Sequence, residues 1–415
     1  MGEAMLAKGK LKEIPQNALL YLYSIAFFYI SSGAFSMLQG IYIKELNYGE
    51  SFLGTILSLK ILATAVFSIP CAIFVNKMGK KKAMMMAFIF VPLMNICQGY
   101  FSNRWLMLLF AVMQGAATSF LLVSEGPFFM ENSTEKNRLR LFSTSFVVNV
   151  FSNMIGYFSF GQISQRLEFK LTSIEALKYS IIVSGIIGFV ACVFAIKIKD
   201  SNAHNVGKNE NLIKKYIYVL KQKHPSQYVI YNFIIGFGAG LVVPYFNVYL
   251  KYKVNVSTES IGIIMALAQG AMGIGGLITP IMAKRYGKIK TIIICQTLSV
   301  PFLMLIALPP SVIIVSLALF IRNALMNMAG PITSNLSMEM VDNDHRPIFS
   351  SIINISSNLS RALSAMVAGF IMNNLANGYE IPYFITAIMY IGGTVYFYKC
   401  FNTLDKRNKS IIADR

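Results

Sequence analysis

Residues 69–88 read IPCAIFVNKMGKKKAMMMAF, with four lysines in six positions between two long apolar runs. A knot of charge in that setting is the pattern of a short turn joining two membrane-crossing helices. The composition agrees. A chain of 415 residues that is 55% hydrophobic and only 13% charged is too apolar for a soluble protein of this length.

Apolar stretches of about 20 residues, enough to cross a ~30 Å hydrocarbon core as helices, recur along the chain. Twelve are expected: 17–43, 52–75, 83–101, 105–129, 140–163 and 177–197, then 228–250, 260–283, 289–308, 311–338, 347–373 and 379–400. The runs are continuously apolar and do not alternate with period two, which excludes a β-barrel. The expected fold class is an all-α membrane protein.

Lys8, Lys10 and Lys12 precede the first run as in a secretory signal. The run is too long for one and no small-residue cleavage site follows, so 1–16 is expected to be a cytoplasmic tail and the first helix to stay uncleaved. With both ends inside, the segments placed outside hold only a few of the 37 Lys and Arg, among them Lys44, Arg104, Arg166 and Lys251. Lys60, Arg322 and Arg361 lie deep within spans, and most of the remainder collect on the cytoplasmic side, which fixes the orientation. The net charge of +19 therefore points to a membrane surface with anionic lipid headgroups. It does not point to nucleic acid, since no soluble basic domain or aromatic platform exists.

The chain repeats itself. Gly54 to Gly79 ends in NKMGKKKAM, and Gly262 to Gly287 covers the same interval and ends in AKRYGKIKT. Similar leads, YIKELNYGESFLG and YLKYKVNVSTESIG, precede them. Two copies about 208 residues apart in one orientation imply two pseudo-symmetric six-helix bundles, 17–197 and 228–400, related by an axis along the membrane normal. Residues 198–227 form the polar linker and 401–415 a cytoplasmic tail. Within the linker, LIKKYIYVLK sets Leu212, Ile213, Tyr216, Ile217 and Leu220 on one face with lysines opposite. It reads as an interfacial helix or as a disordered tether.

In this architecture the chain resembles the major facilitator superfamily over essentially its full length. The family signature between helices two and three, G-x-x-x-D-R-x-G-R-R, aligns with AIFVNKMGKK from Ala72. Gly79 matches, Lys77, Lys80 and Lys81 keep the charge, and Asn76 stands in place of the family Asp. The second copy, PIMAKRYGKI from Pro280, keeps Arg285, Gly287 and Lys288 but has Lys284 at the acidic position. These residues form the expected cytoplasmic gate signature. Of the fourth-helix pattern R-x-x-Q-G only Gln114 and Gly115 remain, and the fifth-helix pattern G-P-x-x-G-G keeps only Gly156 and Gly161.

An ionisable side chain at membrane depth is costly unless paired or facing water. Lys60, Glu125, Arg322 and Arg361 are such groups, with Glu339 at an edge. Asn354, Asn358 and Arg361 fall at i, i+4 and i+7, a stripe that either lines a wet cavity or joins helices. Arg322, beside the face of Asn323 and Asn327, is either a substrate contact or a structural Arg tied to backbone carbonyls. The resemblance makes helices one, four, seven and ten the cavity lining and so favours contact. Lys60 shares a face with Thr64 and Ser68. Glu125 is either a proton carrier or an anchor for the adjoining loop. Asn149 in helix five and Gln39 in helix one are candidate neutral walls of the pocket.

No phosphate-binding loop, H-E-x-x-H or G-x-S-x-G occurs, so neither ATP hydrolysis nor these catalytic classes are expected, and no cofactor. Cys71, Cys97, Cys192, Cys295 and Cys400 are scattered, and no disulfide framework or metal site is expected. Three buried cations against one carboxylate favour an anionic or zwitterionic small solute. The resemblance implies a monomeric secondary transporter of the cell membrane working by alternating access. It further implies proton-linked efflux of a drug or metabolite, with proton-coupled uptake of a nutrient as the alternative.

Overall fold

A computed structural model describes residues 15–199, 212–308, 311–342 and 345–413. The tail before residue 15, most of the linker before 212 and the last two residues lie outside that set. Every regular element described is helical. The first repeat holds α1 (Gln16–Glu45), α2 (Gly49–Met78), α3 (Lys80–Tyr100), α4 (Arg104–Glu131), α5 (Glu135–Glu168), α6 (Ser173–Gly188) and α7 (Val190–Ile196). After the short α8 (Leu212–Lys221), the second holds α9 (Lys223–Val242), α10 (Phe246–Tyr252), α11 (Thr258–Tyr286), α12 (Lys288–Ala307), α13 (Val312–Glu339), α14 (Arg346–Asn374) and α15 (Ile381–Ala413).

Eleven membrane-length segments among the described residues are apolar enough to span a bilayer. The remaining expected span, α14, has the length, about 43 Å at 1.5 Å per residue. Its polar stripe and serines hold its hydropathy down. Two spans are broken where a single helix was expected. Pro244, which has no N–H to donate, sits in the 3-10 turn Val243–Tyr245 between α9 and α10. A second break at Gly188–Phe189 separates α6 from α7.

The repeat is visible residue by residue at an offset of 208. The turns before α3 and α12 are made by Gly79 and Gly287, whose φ of 91° and 87° only glycine adopts without strain. Asn47 and Asn255, the two non-glycine residues of positive φ among those described, both have φ 59°. Asn103 caps α4 by accepting from the Trp105 and Leu106 N–H groups at 2.9 and 3.3 Å. Ser311 caps α13 by accepting from the Ile314 N–H at 3.3 Å. Packing repeats as well. Helix α1 lies against α5 and α6, and α3 against α4 and α6; α9 lies against α14 and α15, and α12 against α13 and α15.

The chain forms two compact units. One comprises Met1–Leu46, Leu62–Gly207 and Ser257–Ala266, the other Asn47–Ile61, Lys208–Val256 and Leu267–Arg415. Each unit thus takes a short segment from the opposite repeat. The first is cored by Tyr21, Phe88, Phe128 and Phe129, the second by Tyr228, Tyr231, Phe349 and Phe397. Helix α8 belongs to the second unit, where Val219 is buried and the Tyr216 hydroxyl bonds with that of Ser351 at 2.9 Å. Tyr216 and Val219 face the protein, while Ile217 and Leu220, expected on the same apolar face, are exposed.

Candidate functional site

Arg361 lies half-way along α14 and is exposed. Asn354 is exposed on the same face and Asn358 partly so, and none of the three side chains bonds with another described residue. The large apolar side chains that α14 exposes, Ile355, Leu359, Leu363, Met366, Val367 and Phe370, form a separate stripe roughly 145° around the helix. One helix therefore presents two exposed faces of opposite character. The apolar one suits hydrocarbon. The Asn and Arg face needs water, because an unpaired guanidinium in lipid is too costly. Glycines carry α9 close to this region: a Cβ on Gly240 would stand 2.9 Å from the Arg361 Cα, and one on Gly236 would strike the Ser360 hydroxyl.

Arg322 is different. It is 2% exposed, yet among the described residues no carboxylate pairs with it. Its Nη2 donates to the Tyr390 hydroxyl at 3.1 Å and its Nη1 to Asn323 Oδ1 at 3.3 Å, while Nε has no partner. The guanidinium also lies over the rings of Phe246 and Tyr390, 5.3 and 5.9 Å from their centroids. Its partners are side chains and ring faces, not the backbone carbonyls of the structural alternative. The Tyr383 hydroxyl, in the field of this cation, is likewise buried without a partner. Asn323 reaches toward the Ala268 carbonyl at 3.5 Å, and Asn327 donates to the Asn323 carbonyl at 2.8 Å. Lys60, half-buried, belongs to the α2 segment that clusters with the second unit. All three cations thus sit in one unit.

Glu125 sits in the other, partly buried on α4. Ser145 Oγ donates to its Oε1 at 3.0 Å. The Tyr21 hydroxyl lies beside the same carboxylate without the alignment of a full hydrogen bond. Tyr29 stands in its field and lies near the Asn149 side chain. Asn149 also accepts from Asn153 Nδ2 at 2.8 Å. Tyr29 thus lies near both Glu125 and Asn149, separate candidates in the sequence.

Gln39 lies in a buried chain of carboxamides. It donates to Gln98 at 2.9 Å, Gln98 donates to Gln114 at 3.3 Å, and Gln114 donates to Asn95. That chain ties α1, α3 and α4 together. Gln114 of this chain and Arg322 occupy the same position of the two repeats, 208 residues apart. Tyr21, Tyr29, Tyr383, Tyr390, Phe246 and Ser145 had no signal in the sequence, since nothing local distinguishes them from other aromatic or small residues of the spans.

At the helix ends the signature residues have definite partners. Lys80 pairs with Glu131, and Lys288 pairs with Glu339 at 2.5 Å and donates to Asn335 at 2.6 Å. The two ion pairs are equivalent in the repeats. Lys77 and Arg285 are exposed, Arg285 over the Tyr286 ring, and the Asn76 side chain lies outside those described. Among the described residues no group of His, Cys, Asp or Glu is placed to hold a metal ion.

The sequence matches the family model described as Major Facilitator Superfamily over residues 20–226 and 228–413. The chain belongs to the major facilitator superfamily. No curated protein matches it significantly. Among solved structures it is similar to a mutant of the nucleoside transporter NupG, at 13% identity and a TM-score of 0.77, covering 93% of this chain and 100% of that one. It is also similar to a bacterial homolog of the human lysosomal transporter Spinster in an inward-facing, occupied conformation, at 12% identity and a TM-score of 0.77, covering 93% and 96%. A D-xylose-proton symporter gives 12%, 0.73, 93% and 95%. At these identities the likeness establishes the major facilitator fold. A multi-pass membrane transporter is the function that membership assigns.

Proposed function

We propose that this major facilitator protein carries a small organic anion or zwitterion, in proton-linked secondary transport, and that Arg361 is the residue that meets the acidic group. The observation that carries the reading is the unpartnered Arg361 on a hydrophilic face half-way along α14, opposite a lipid-compatible one. A guanidinium there requires water and offers a fork of donors that matches a carboxylate. Asn354 and Asn358 supply neutral donors and acceptors along the same face. Arg322, held between Phe246 and Tyr390, adds a second positive charge whose Nε and the nearby Tyr383 hydroxyl have hydrogen-bonding capacity to spare.

Glu125 is the proton-linked group in this reading. Ser145 donates to it and the Tyr21 hydroxyl lies beside it, so protonated and ionised forms both find partners. The cationic loops are cytoplasmic, both termini face inward, and export is the working direction. A symport alternative draws support from the similarity to a D-xylose-proton symporter. The protein reconstituted in liposomes with a pH-sensitive dye in the lumen tests the reading. Addition of a transported organic anion or zwitterion moves lumenal pH, its sign distinguishing antiport from symport, whereas silence across a broad anionic and zwitterionic panel contradicts it.

A further inference from the structure

Between the end of α2 and the first turns of α3, within the first unit, runs an open groove of about 500 Å³ lined by Phe74, Met78, Lys81, Lys82, Met85 and Met86. Its wall is one aromatic ring and three methionines, flexible side chains that adapt to an alkyl chain. Its mouth carries two cations. Lys82 is exposed and makes no ion pair among the described residues. Lys81 lines the groove with its stem while its ammonium donates to the Ile196 carbonyl at the end of α7, at 2.7 Å, which leaves two of its three N–H donors for a ligand. The nearby acid, Glu131, is already engaged by Lys80, and Lys77 adds a further exposed cation one turn away.

The fold does not require this arrangement. In the second repeat the position of Lys81 is taken by Ile289, which is buried, and only Lys290 repeats the charge of Lys82. The paired lysines over an apolar wall belong to the first repeat alone.

We infer that this groove holds one acidic phospholipid, its phosphate between Lys81 and Lys82 and an acyl chain along Met78, Met85, Met86 and Phe74. Charge complementarity selects the occupant. Two cations with no acid in the lining favour a headgroup of net negative charge, and a zwitterionic headgroup would bring its own cation against them. A soluble phosphate has no use for the apolar wall. The location also fits, because the groove opens at the end of a span, where headgroups lie. The site is independent of the solute reading above.

Native mass spectrometry of the full-length protein titrated with phosphatidylglycerol or phosphatidylcholine tests the site. The expected result is preferential retention of phosphatidylglycerol, weakened about thirtyfold by the double substitution Lys81→Gln and Lys82→Gln, at about fivefold per lysine. Lys290→Gln, at the matching position of the second repeat, is expected to change nothing. Unaltered retention in the double variant, equal loss in Lys290→Gln, or equal affinity for phosphatidylcholine would overturn the site in favour of diffuse surface attraction. Glycerol 3-phosphate is expected not to compete; effective competition would mean a soluble-phosphate site and would overturn the lipid assignment.

Discussion

Gly161 on α5 and Gly262 on α11 cross so closely that a Cβ on either would come within 2.9 or 3.0 Å of the other's Cα. Their counterparts 208 residues away, Gly369 on α14 and Gly54 on α2, do the same, at 3.1 and 3.3 Å. Gly54 and Gly262 mark the internal repeat in the sequence. The structure supplies the reason for them: each unit contains one backbone-to-backbone crossing made by a segment from the opposite repeat.

A side chain at either crossing must push a helix away. Gly262→Val and Gly54→Val are each expected to cost about 1–3 kcal/mol through overpacking. Gly276→Ala and Gly330→Ala serve as controls, since nothing lies within 4 Å of a Cβ there. Placed in open space within helices, they are expected to be neutral or to stabilise by about 0.4–1 kcal/mol. Thermal unfolding in detergent separates the two groups; equal midpoints would show that the crossings have room.

The ion pairs Lys80–Glu131 and Lys288–Glu339 join the start of one helix to the end of the next at equivalent positions. Their side chains are between 20% and 43% exposed, so solvent screens them. Lys80→Gln or Glu339→Gln alone should lower stability by less than about 1 kcal/mol. Swapping both charges of one pair should restore most of the loss. A double-mutant cycle on thermal stability measures this, and a coupling of several kcal/mol would assign these pairs a larger structural role.

Arg322 separates stability from recognition. Replacing a buried charge by an apolar group of similar size is often neutral or stabilising. Arg322→Met should therefore leave the unfolding midpoint unchanged or raised while removing the response to the solute. A large drop in stability with the solute response intact would make Arg322 a structural residue of α13.

Much of this was legible in the sequence, and the reasons for the remainder are physical. Hydropathy marks helices because lipid demands continuous apolar surface, and its signal is weakest at α14, where a polar stripe shares the helix with an apolar one. The offset between Gly54 and Gly262 was readable, whereas their partners Gly369 and Gly161 depend on how helices cross. Gln39 read as a pocket wall because a buried amide and a ligand-binding amide look alike in sequence; its bond to Gln98, which in turn donates to Gln114, is visible only in the fold. Tyr390 and Phe246, 68 positions beyond and 76 before Arg322, become its neighbours only through the fold.

Glu125→Gln fixes the protonated form of the carboxyl. Exchange of labelled solute across a membrane without a gradient should persist, while accumulation driven by a pH difference should fall to background. Side-by-side exchange and gradient assays in liposomes read this. Loss of both would place Glu125 in solute binding, and retention of both would make it a helix anchor through Ser145.

The most direct test of the central claim is a thermal-shift screen of purified protein against matched panels of organic anions, zwitterions and lipophilic cations, repeated on Arg361→Gln. A ligand at a hundred times its Kd stabilises the native state by about 2.7 kcal/mol, which is readily seen. Stabilisation by anions or zwitterions that disappears in Arg361→Gln, with the unliganded midpoint unchanged, is the predicted result. Stabilisation by lipophilic cations alone, or an anion response that survives the loss of Arg361, would contradict the account.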